Sequence, residues 1–492
     1  MKAPRWLWLA LCAALCVIAA QYAAYAVAAI GFPFGLDYSE GLIWQQALWL
    51  GTAKLYGDIG NFPFLVCDYP PLYLIVLRCV HALGIGMLPG GRLVSVLSML
   101  VICVLTGAVV FRHAMRIGAK GPALIAGVVG GLLPLSLLPV ASWSVLMRVD
   151  QQALALTYAG IACAMVAFRR PAWLAPALLF FVASAFTKQT YLAAPAAMFP
   201  VLLIRAPRQT LAAYAAGLAL GLALLGVCSW ATDGRFLQHI IAYAADTADP
   251  IVAFKQTGLW LAAYPLDAGL TLVAVIVLWR QDAVRPKELV RAIRSDEGVA
   301  WRVFLTIYLL LTTIMLITVG KIGSSRNYFI EWMCCWCLWL GCLAATAMGR
   351  PGALRYAMPA LLLLQLWPVE IGMQNLQAAQ FSAVRRADWG ALLARVRGVP
   401  GPLLSDDMVL TLQAGRPVEM EPGILLEMAR MGRWDEQRLI DKLNAHYFGA
   451  VITAYDPGDP TFDARYLPRT QAALLADYPH VQRFGDYRLR LP

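Results

Sequence analysis

The chain has 492 residues, of which 60% are hydrophobic and only 14% charged, with a mean hydropathy of +0.64. A soluble chain averages roughly a quarter charged, so these values exclude a soluble globular protein and require an integral membrane protein. The formal charge of +11 comes without a basic, aromatic-interleaved face, which excludes a nucleic-acid binder and leaves loop topology as its explanation.

In chain order, Met1 to Ile30 is apolar and long enough to be a retained span. Lys2 and Arg5 hold its start on the inner side, and no cleavable signal peptide is evident. Further apolar runs of spanning length fall near residues 91–111, 121–141, 152–168, 172–187, 190–204, 210–230, 258–279, 301–319, 329–348 and 354–372. The pattern predicts an α-helical polytopic protein with about eleven transmembrane helices in residues 1–372, the pair flanking Lys188 being the shortest.

Between the first two runs lie about sixty residues where a bundle that only packs helices would use a short turn. This first loop, residues 31–90, includes LDYSEGLIWQQALWLGTAKLYGDIGNFPFLVCDYPPLYL and carries Asp37, Glu40, Asp58 and Asp68 with a Tyr-Pro-Pro step. It predicts chemistry at a membrane surface. The loops alternate in charge. One set holds Arg112, Arg116 and Lys120, then Arg169 and Arg170, Arg205 and Arg208, the basic stretch from Arg280 to Arg302, and Arg350 with Arg355; the other is longer and holds the carboxylates. The positive-inside rule therefore puts the N-terminus in the cytoplasm and the first loop outside, and an odd helix count puts the C-terminus outside too. For a bacterial inner membrane, the outer side is the periplasm.

From about residue 373 the composition turns soluble. WDEQRLIDKLNAHY is amphipathic, GAVITAY is strand-like, and QRFGDYRLRL reads as a hairpin around Gly485-Asp486. Residues 373–492 are thus expected to form a small periplasmic α/β domain, free of cysteine. Among the eleven cysteines, Cys12, Cys16, Cys103, Cys163, Cys228 and Cys342 lie in apolar runs and act as small hydrophobes. The Cys334-Cys335-Trp336-Cys337 run lacks the second ligand pair of a zinc site. Cys67 and Cys79, in the first loop, are read as two buried free thiols, with a disulfide between them in an oxidising compartment as the alternative.

A first outer loop that opens with acid-Tyr-x-Glu (Asp37–Glu40) and closes with acid-x-Pro-Pro-Leu-Tyr (Asp68–Tyr73) resembles the GT-C glycosyltransferases. The likeness is to the family-39 type, which includes the protein mannosyltransferases and the lipid A aminoarabinose transferases, and it covers roughly residues 1–345. The resemblance implies a polyprenyl-phosphate-linked sugar as donor and inversion at its anomeric centre. It gives Asp37 the role of base, with Glu40 or Asp68 positioning it. The residues agree, since transfer to a hydroxyl needs a base and a carboxylate serves. Glu40 lies one turn beyond Asp37 if LDYSEGLIWQQALWL is a helix, and would face the same cavity. Pro70-Pro71 is a rigid step that aims Asp68 back toward Asp37. Asp58, beside Gly57 and Gly60, reads as a loop or capping residue.

A lipid phosphate needs cationic partners, and a charge within apolar sequence usually marks function. Lys188, Arg326 and Arg148 are the candidates, although Arg148 has Asp150 beside it as a simple pairing partner. Tyr38, Tyr69, Gln189, Asn327 and Tyr328 adjoin these charges and are the candidate substrate contacts. One departure concerns Tyr69, which stands where the aminoarabinose-transferase-like enzymes carry a lysine. There is no Trp-Trp-Asp motif and no Gly-rich phosphate loop. The expected function is an inverting transfer of sugar from a polyprenyl-phosphate donor to a periplasmic glycan, lipid or protein acceptor. It requires no metal or other cofactor, and a divalent cation bridging Asp68 and the phosphate is compatible with it. The alternative is a transporter or flippase of a lipid-linked or polyanionic substrate. That reading predicts inverted repeats meeting at mid-membrane, which the two halves of the sequence do not show.

Overall fold

The computed structural model describes residues 5–118, 120–243, 248–281, 284–321 and 323–492; Lys2 lies outside the described residues. The apolar runs become helices because backbone polar groups inside a bilayer must be satisfied within the segment. Six helices among the described residues are long and apolar enough to cross a membrane: Arg5–Gly31, Met87–Ile117, Pro207–Trp230, Glu297–Gly320, Arg326–Gly349 and Leu354–Arg397. A seventh span results if Pro250–Ala263 and Pro265–Arg280, bent by 93°, count as one. The bend falls at Tyr264-Pro265, where proline removes a helical donor and restricts the residue before it. The other four expected runs hold the shorter helices Lys120–Leu132, Val149–Ala167, Leu174–Ala185 and Ala193–Arg205. In the run 121–141 a 3₁₀ turn, Leu133–Ser136 with Pro134 inside it, replaces the α-helix. The protein is thus a multi-pass membrane protein in which length and hydropathy qualify six or seven of the eleven expected runs as spans.

Met87–Ile117 is the hub, packing against Lys120–Leu132, Val149–Ala167 and Ile330–Gly349. A Cβ on Gly131 would lie 2.8 Å from the Cys103 carbonyl oxygen, and one on Gly107 would lie 2.8 Å from that of Gly127. Only glycine lets these backbones meet. Ile330–Gly349 is buried along most of its length, so Cys334-Cys335-Trp336-Cys337 are core residues. Pro207–Trp230 is the opposite case: Thr210 is its one buried residue, and a helix apolar on every side that stays exposed is a lipid-facing one.

The helix Leu354–Gln380 runs through residue 373, so the change of composition falls inside a helix. After Ala383–Arg397 the chain forms a four-stranded sheet of β1 (Leu403–Ser405), β2 (Ala450–Ala454), β3 (His480–Phe484) and β4 (Tyr487–Leu491). Its order is β1-β2-β4-β3, with β1 parallel to β2 and β4 antiparallel to both neighbours. The hairpin joining β3 to β4 turns at Gly485-Asp486, and Gly485 has φ +55°, which two-residue hairpins favour.

The first loop and this sheet domain are joined by many contacts. Glu40–Trp49 packs so closely on Met408–Gln413 that a Cβ on Gly41 would lie 2.3 Å from the Met408 carbonyl carbon. The Phe64 amide donates to the Glu419 carbonyl at 2.8 Å, Gln45 Oε1 accepts the Val418 amide at 2.7 Å, and Trp389 packs on Phe32 and Phe34. Cys67 is buried in this layer, whereas Cys79 is exposed on Leu72–Ala82; both are free. The expectation of two buried thiols is corrected for Cys79, because its helix packs only one face.

Candidate active site

Residues Phe32 to Ser39 link the first helix to Glu40–Trp49, and Arg92 fixes the link at both ends. Fully buried, its guanidinium donates to the Ala29, Phe32 and Phe34 carbonyls at 2.6–2.7 Å and to both Glu40 oxygens at 2.7 and 2.8 Å. Carbonyls at and just beyond a helix C-terminus and a buried carboxylate thus share one cation. Glu40 also accepts the Leu36 and Met147 amides at 2.8 and 2.9 Å. Burial alone would raise its pKa, but Arg92 and the two amides hold it below the usual carboxylate range. Asp37 lies inside the link. Its Oδ1 accepts Nη1 of Arg148 and the Ser39 amide, each at 3.1 Å, while Oδ2 has no hydrogen bond among the described residues. Burial pushes the Asp37 pKa up and the Arg148 charge opposes it.

Arg148 immediately precedes Val149–Ala167, and its Nε lies 4.0 Å from Asp150. Asp150 has no exposed side-chain surface. It accepts Nζ of Lys188 at 2.5 Å, Nε1 of Trp143 at 2.9 Å and Nδ2 of Asn327 at 3.0 Å. Lys188 is buried, its ammonium 5.1 Å from the Tyr328 ring, 5.8 Å from that of Tyr191 and 5.9 Å from that of Tyr69, an aromatic surround that favours a cation. Asp68 completes the cluster. Its Oδ1 is buried with no hydrogen-bond partner, and its carbonyl accepts Nε2 of Gln189 at 2.8 Å. Burial raises the Asp68 pKa to about 6, against the pull of Arg148 and Lys188. Arg326 stands exposed at the rim and donates to Ser142 Oγ at 3.3 Å. Three carboxylates and two enclosed cations therefore meet in one partly dehydrated site. Among the described residues no group of three or more His, Cys, Asp or Glu is placed to hold a metal ion.

The crystal structure of ArnT from Cupriavidus metallidurans bound to undecaprenyl phosphate superposes on this chain with a TM-score of 0.58, over 98% of this chain and 97% of that one, at 13% identity. The apo structure of the same ArnT gives a TM-score of 0.58, the same coverage and 12% identity. This chain has the GT-C fold. No family model matches the chain, and no curated protein matches it.

Within the GT-C fold, Asp37, Asp68, Arg148, Lys188, Tyr69, Gln189, Asn327 and Tyr328 are brought to one place. Glu40 is not part of it. The expected shared helical face does not exist, because the helix begins at Glu40 and Asp37 precedes it with an Asx turn to Ser39. Glu40 instead points inward and spends both oxygens on Arg92 and two amides. Tyr38 is likewise turned away. Its hydroxyl meets Glu421 and accepts the Gly423 amide at 3.2 Å, and Arg465 lies 4.3 Å over its ring. Tyr38 therefore contacts the C-terminal domain, not the charge cluster. Asp58 accepts the Gly60 amide and Nδ2 of Asn61, both at 2.8 Å, which makes it a turn cap. Two residues went unread as site residues in the sequence, Arg92 and Asp150. Each is a charge at the edge of an apolar run, the signal that picks out Lys188, and Asp150 is the partner Lys188 had to have.

Proposed function

We propose that this protein is an inverting glycosyltransferase that moves a sugar from a polyprenyl-phosphate donor to a periplasmic glycan, lipid or protein acceptor. The observation that carries the reading is the Asp37–Arg148–Asp150–Lys188 chain of charge pairs with Asp68 beside it, set in a GT-C fold where the first loop meets the bundle. The fold likeness to an ArnT that binds undecaprenyl phosphate supports a donor of that chemistry.

In this scheme Asp37 is the base. Arg148 and the Ser39 amide occupy Oδ1 and aim the carboxylate, both favouring its ionised form against burial, and leave Oδ2 for the acceptor hydroxyl. As Oδ2 takes the hydroxyl proton, the acceptor oxygen attacks the anomeric carbon from the face opposite the phosphate. The bond from that carbon to the phosphate oxygen breaks and the polyprenyl phosphate leaves with its electron pair. An ammonium has three donors, and Asp150 uses one of those on Lys188, so two remain for the phosphate. Arg326 at the rim supplies a second charge as negative charge develops. The unpaired Oδ1 of Asp68 orients a hydroxyl of the sugar or the acceptor, with Gln189, Asn327, Tyr69 and Tyr328 around it. Glu40 takes no part beyond holding the Asp37 link through Arg92. The site and the C-terminal domain lie on the periplasmic side of the inner membrane, and the arginine-rich loops in the cytoplasm.

The deciding experiment compares envelope glycans, lipids and glycoproteins of cells with and without the protein by mass spectrometry. Loss of one sugar, restored by the wild-type chain but not by Asp37→Asn, is the expected result. Identical profiles, or full restoration by Asp37→Asn, would remove the reading.

A further inference from the structure

Three helices that begin at the charge cluster end together at a second site. Met87–Ile117 carries Arg92 near its start and Arg116 in its last turn; Val149–Ala167 follows Arg148 and leads to Arg169; Ile330–Gly349 follows Tyr328 and leads to Arg350. At 1.5 Å per residue the first of these, 31 residues long, measures about 46 Å, beyond the ~30 Å hydrocarbon core. The second site therefore opens at the opposite membrane face, the one with the arginine-rich loops.

It is a cavity of about 630 Å³, whose charged lining is Arg116, Arg169, Arg302 and Arg350 against Asp296 and Glu297. Both carboxylates are already engaged. Glu297 accepts from Arg116 and, at 2.5 Å, from Arg169, while Asp296 Oδ1 caps the next helix through the Gly298 and Val299 amides. Arg350 is exposed and pairs with no carboxylate among the described residues. Two further groups point to what is missing. Thr346 Oγ1 and Gln281 Nε2 line the same cavity, are buried, and have no hydrogen-bond partner. Natural folds rarely leave buried polar groups unmatched. The Arg350 guanidinium, the Thr346 hydroxyl and the Gln281 amide N–H around one space call for a ligand with several acceptor oxygens and a negative charge.

We propose that this cavity binds a phosphate group, that of an acidic phospholipid headgroup in the leaflet on the arginine-rich side. Phosphate matches guanidinium in geometry as well as charge, and basic pockets between transmembrane helices on that side suit anionic headgroups. Ile117, an exposed apolar side chain of the hub helix that lines the cavity, gives the acyl chains a surface. The site shares no residue with the charge cluster, so its test stands apart from the transfer reaction.

The test uses the purified full-length protein in phosphate-free, lipid-stripped detergent, read by thermal unfolding during titration. Dihexanoyl phosphatidylglycerol should raise Tm with saturation, and dihexanoyl phosphatidylcholine should not. Thr346→Val and Arg350→Gln should each weaken the apparent affinity about tenfold, while Thr346→Val leaves the unliganded Tm unchanged or higher because it removes an unmatched hydroxyl. A saturable shift with inorganic phosphate or pyrophosphate but none with the lipid assigns the same site to a soluble phosphate and overturns the headgroup. No shift with any phosphate, or shifts that both variants leave intact, overturns the site itself.

Discussion

Asp37 is a loop residue with the constraints of a helical one. Arg92 pins the chain before and after it, and Arg148 holds one of its oxygens. Asp37→Asn keeps the shape but accepts no proton, so turnover should fall about 10²–10⁴-fold with donor affinity within a fewfold of wild type. Single-turnover rates at saturating donor measure this, and a near-normal rate would move the base to Asp68. Arg92 is a structural counterpart to Asp37. Removing one member of a buried ion pair leaves an uncompensated charge, at about 3–5 kcal/mol. Arg92→Met should therefore destabilise strongly, and adding Glu40→Leu should recover part of the loss; denaturant unfolding in detergent gives both values. Asp68 makes a prediction in pH. Folding lifts its pKa from an ordinary 3.8 to about 6, so the folded state holds the proton more tightly than the unfolded chain does. Stability then falls as pH rises from about 4 to about 6, and the penalty persists above that range. Asp68→Asn lacks this penalty and should gain about 1–3 kcal/mol over wild type between pH 4 and pH 7. Parallel stability–pH curves for the two proteins would contradict the burial of this carboxylate.

At the level of elements, the seam between Glu40–Trp49 and Met408–Gln413 links the soluble domain to the site. Tyr38, next to Asp37 in the chain, is held by Glu421 and Arg465 of that domain. The loop that carries Asp37 is thus gripped by Arg92 from the bundle below and by the sheet domain above. Gly41 allows the close approach, since the atoms its Cβ would strike are backbone and cannot rotate away. Gly41→Leu should separate the two elements at a cost of about 1–3 kcal/mol or more. Faster amide exchange across residues 403–420, with the helices of the bundle unchanged, is the expected signature; unchanged exchange there would mean that the seam does not hold the domain. The kinetic companion of the same change is a lower turnover, because Tyr38 loses its anchor and Asp37 its register.

For the whole molecule, the common ends of three helices define two faces. The charge cluster and the sheet domain occupy one, and the arginine-lined cavity the other. In a background without the exposed Cys16 and Cys79, a single cysteine at Lys54 in the first loop or at Val481 on β3 should react with a membrane-impermeant maleimide in intact spheroplasts. One at Arg350 should react only after lysis. Labelling of Lys54→Cys and Val481→Cys on opposite sides would break the shared-face arrangement, which the contacts of Phe64 with Glu419 and of Gln45 with Val418 require.

The sequence determined what composition and period control. Long apolar runs become helices because a bilayer leaves the backbone no other partner, and the pattern placed a helix in each of the eleven runs. A period of two with a Gly-Asp turn was enough to mark the β3–β4 hairpin, and the isolated charge of Lys188 was enough to mark it as unusual. Pairing was beyond its reach. Glu40 and Arg92 are 52 residues apart and Lys188 and Asp150 are 38 apart, so no local spacing joins them. Tyr38 turned toward Glu421, 383 positions on in the chain. A buried charge is governed by whichever opposite charge the fold brings to it. Glu40 and Asp37 look alike in the loop, and only the packing of Met87–Ile117 beneath them made one a strut and left the other with a free oxygen.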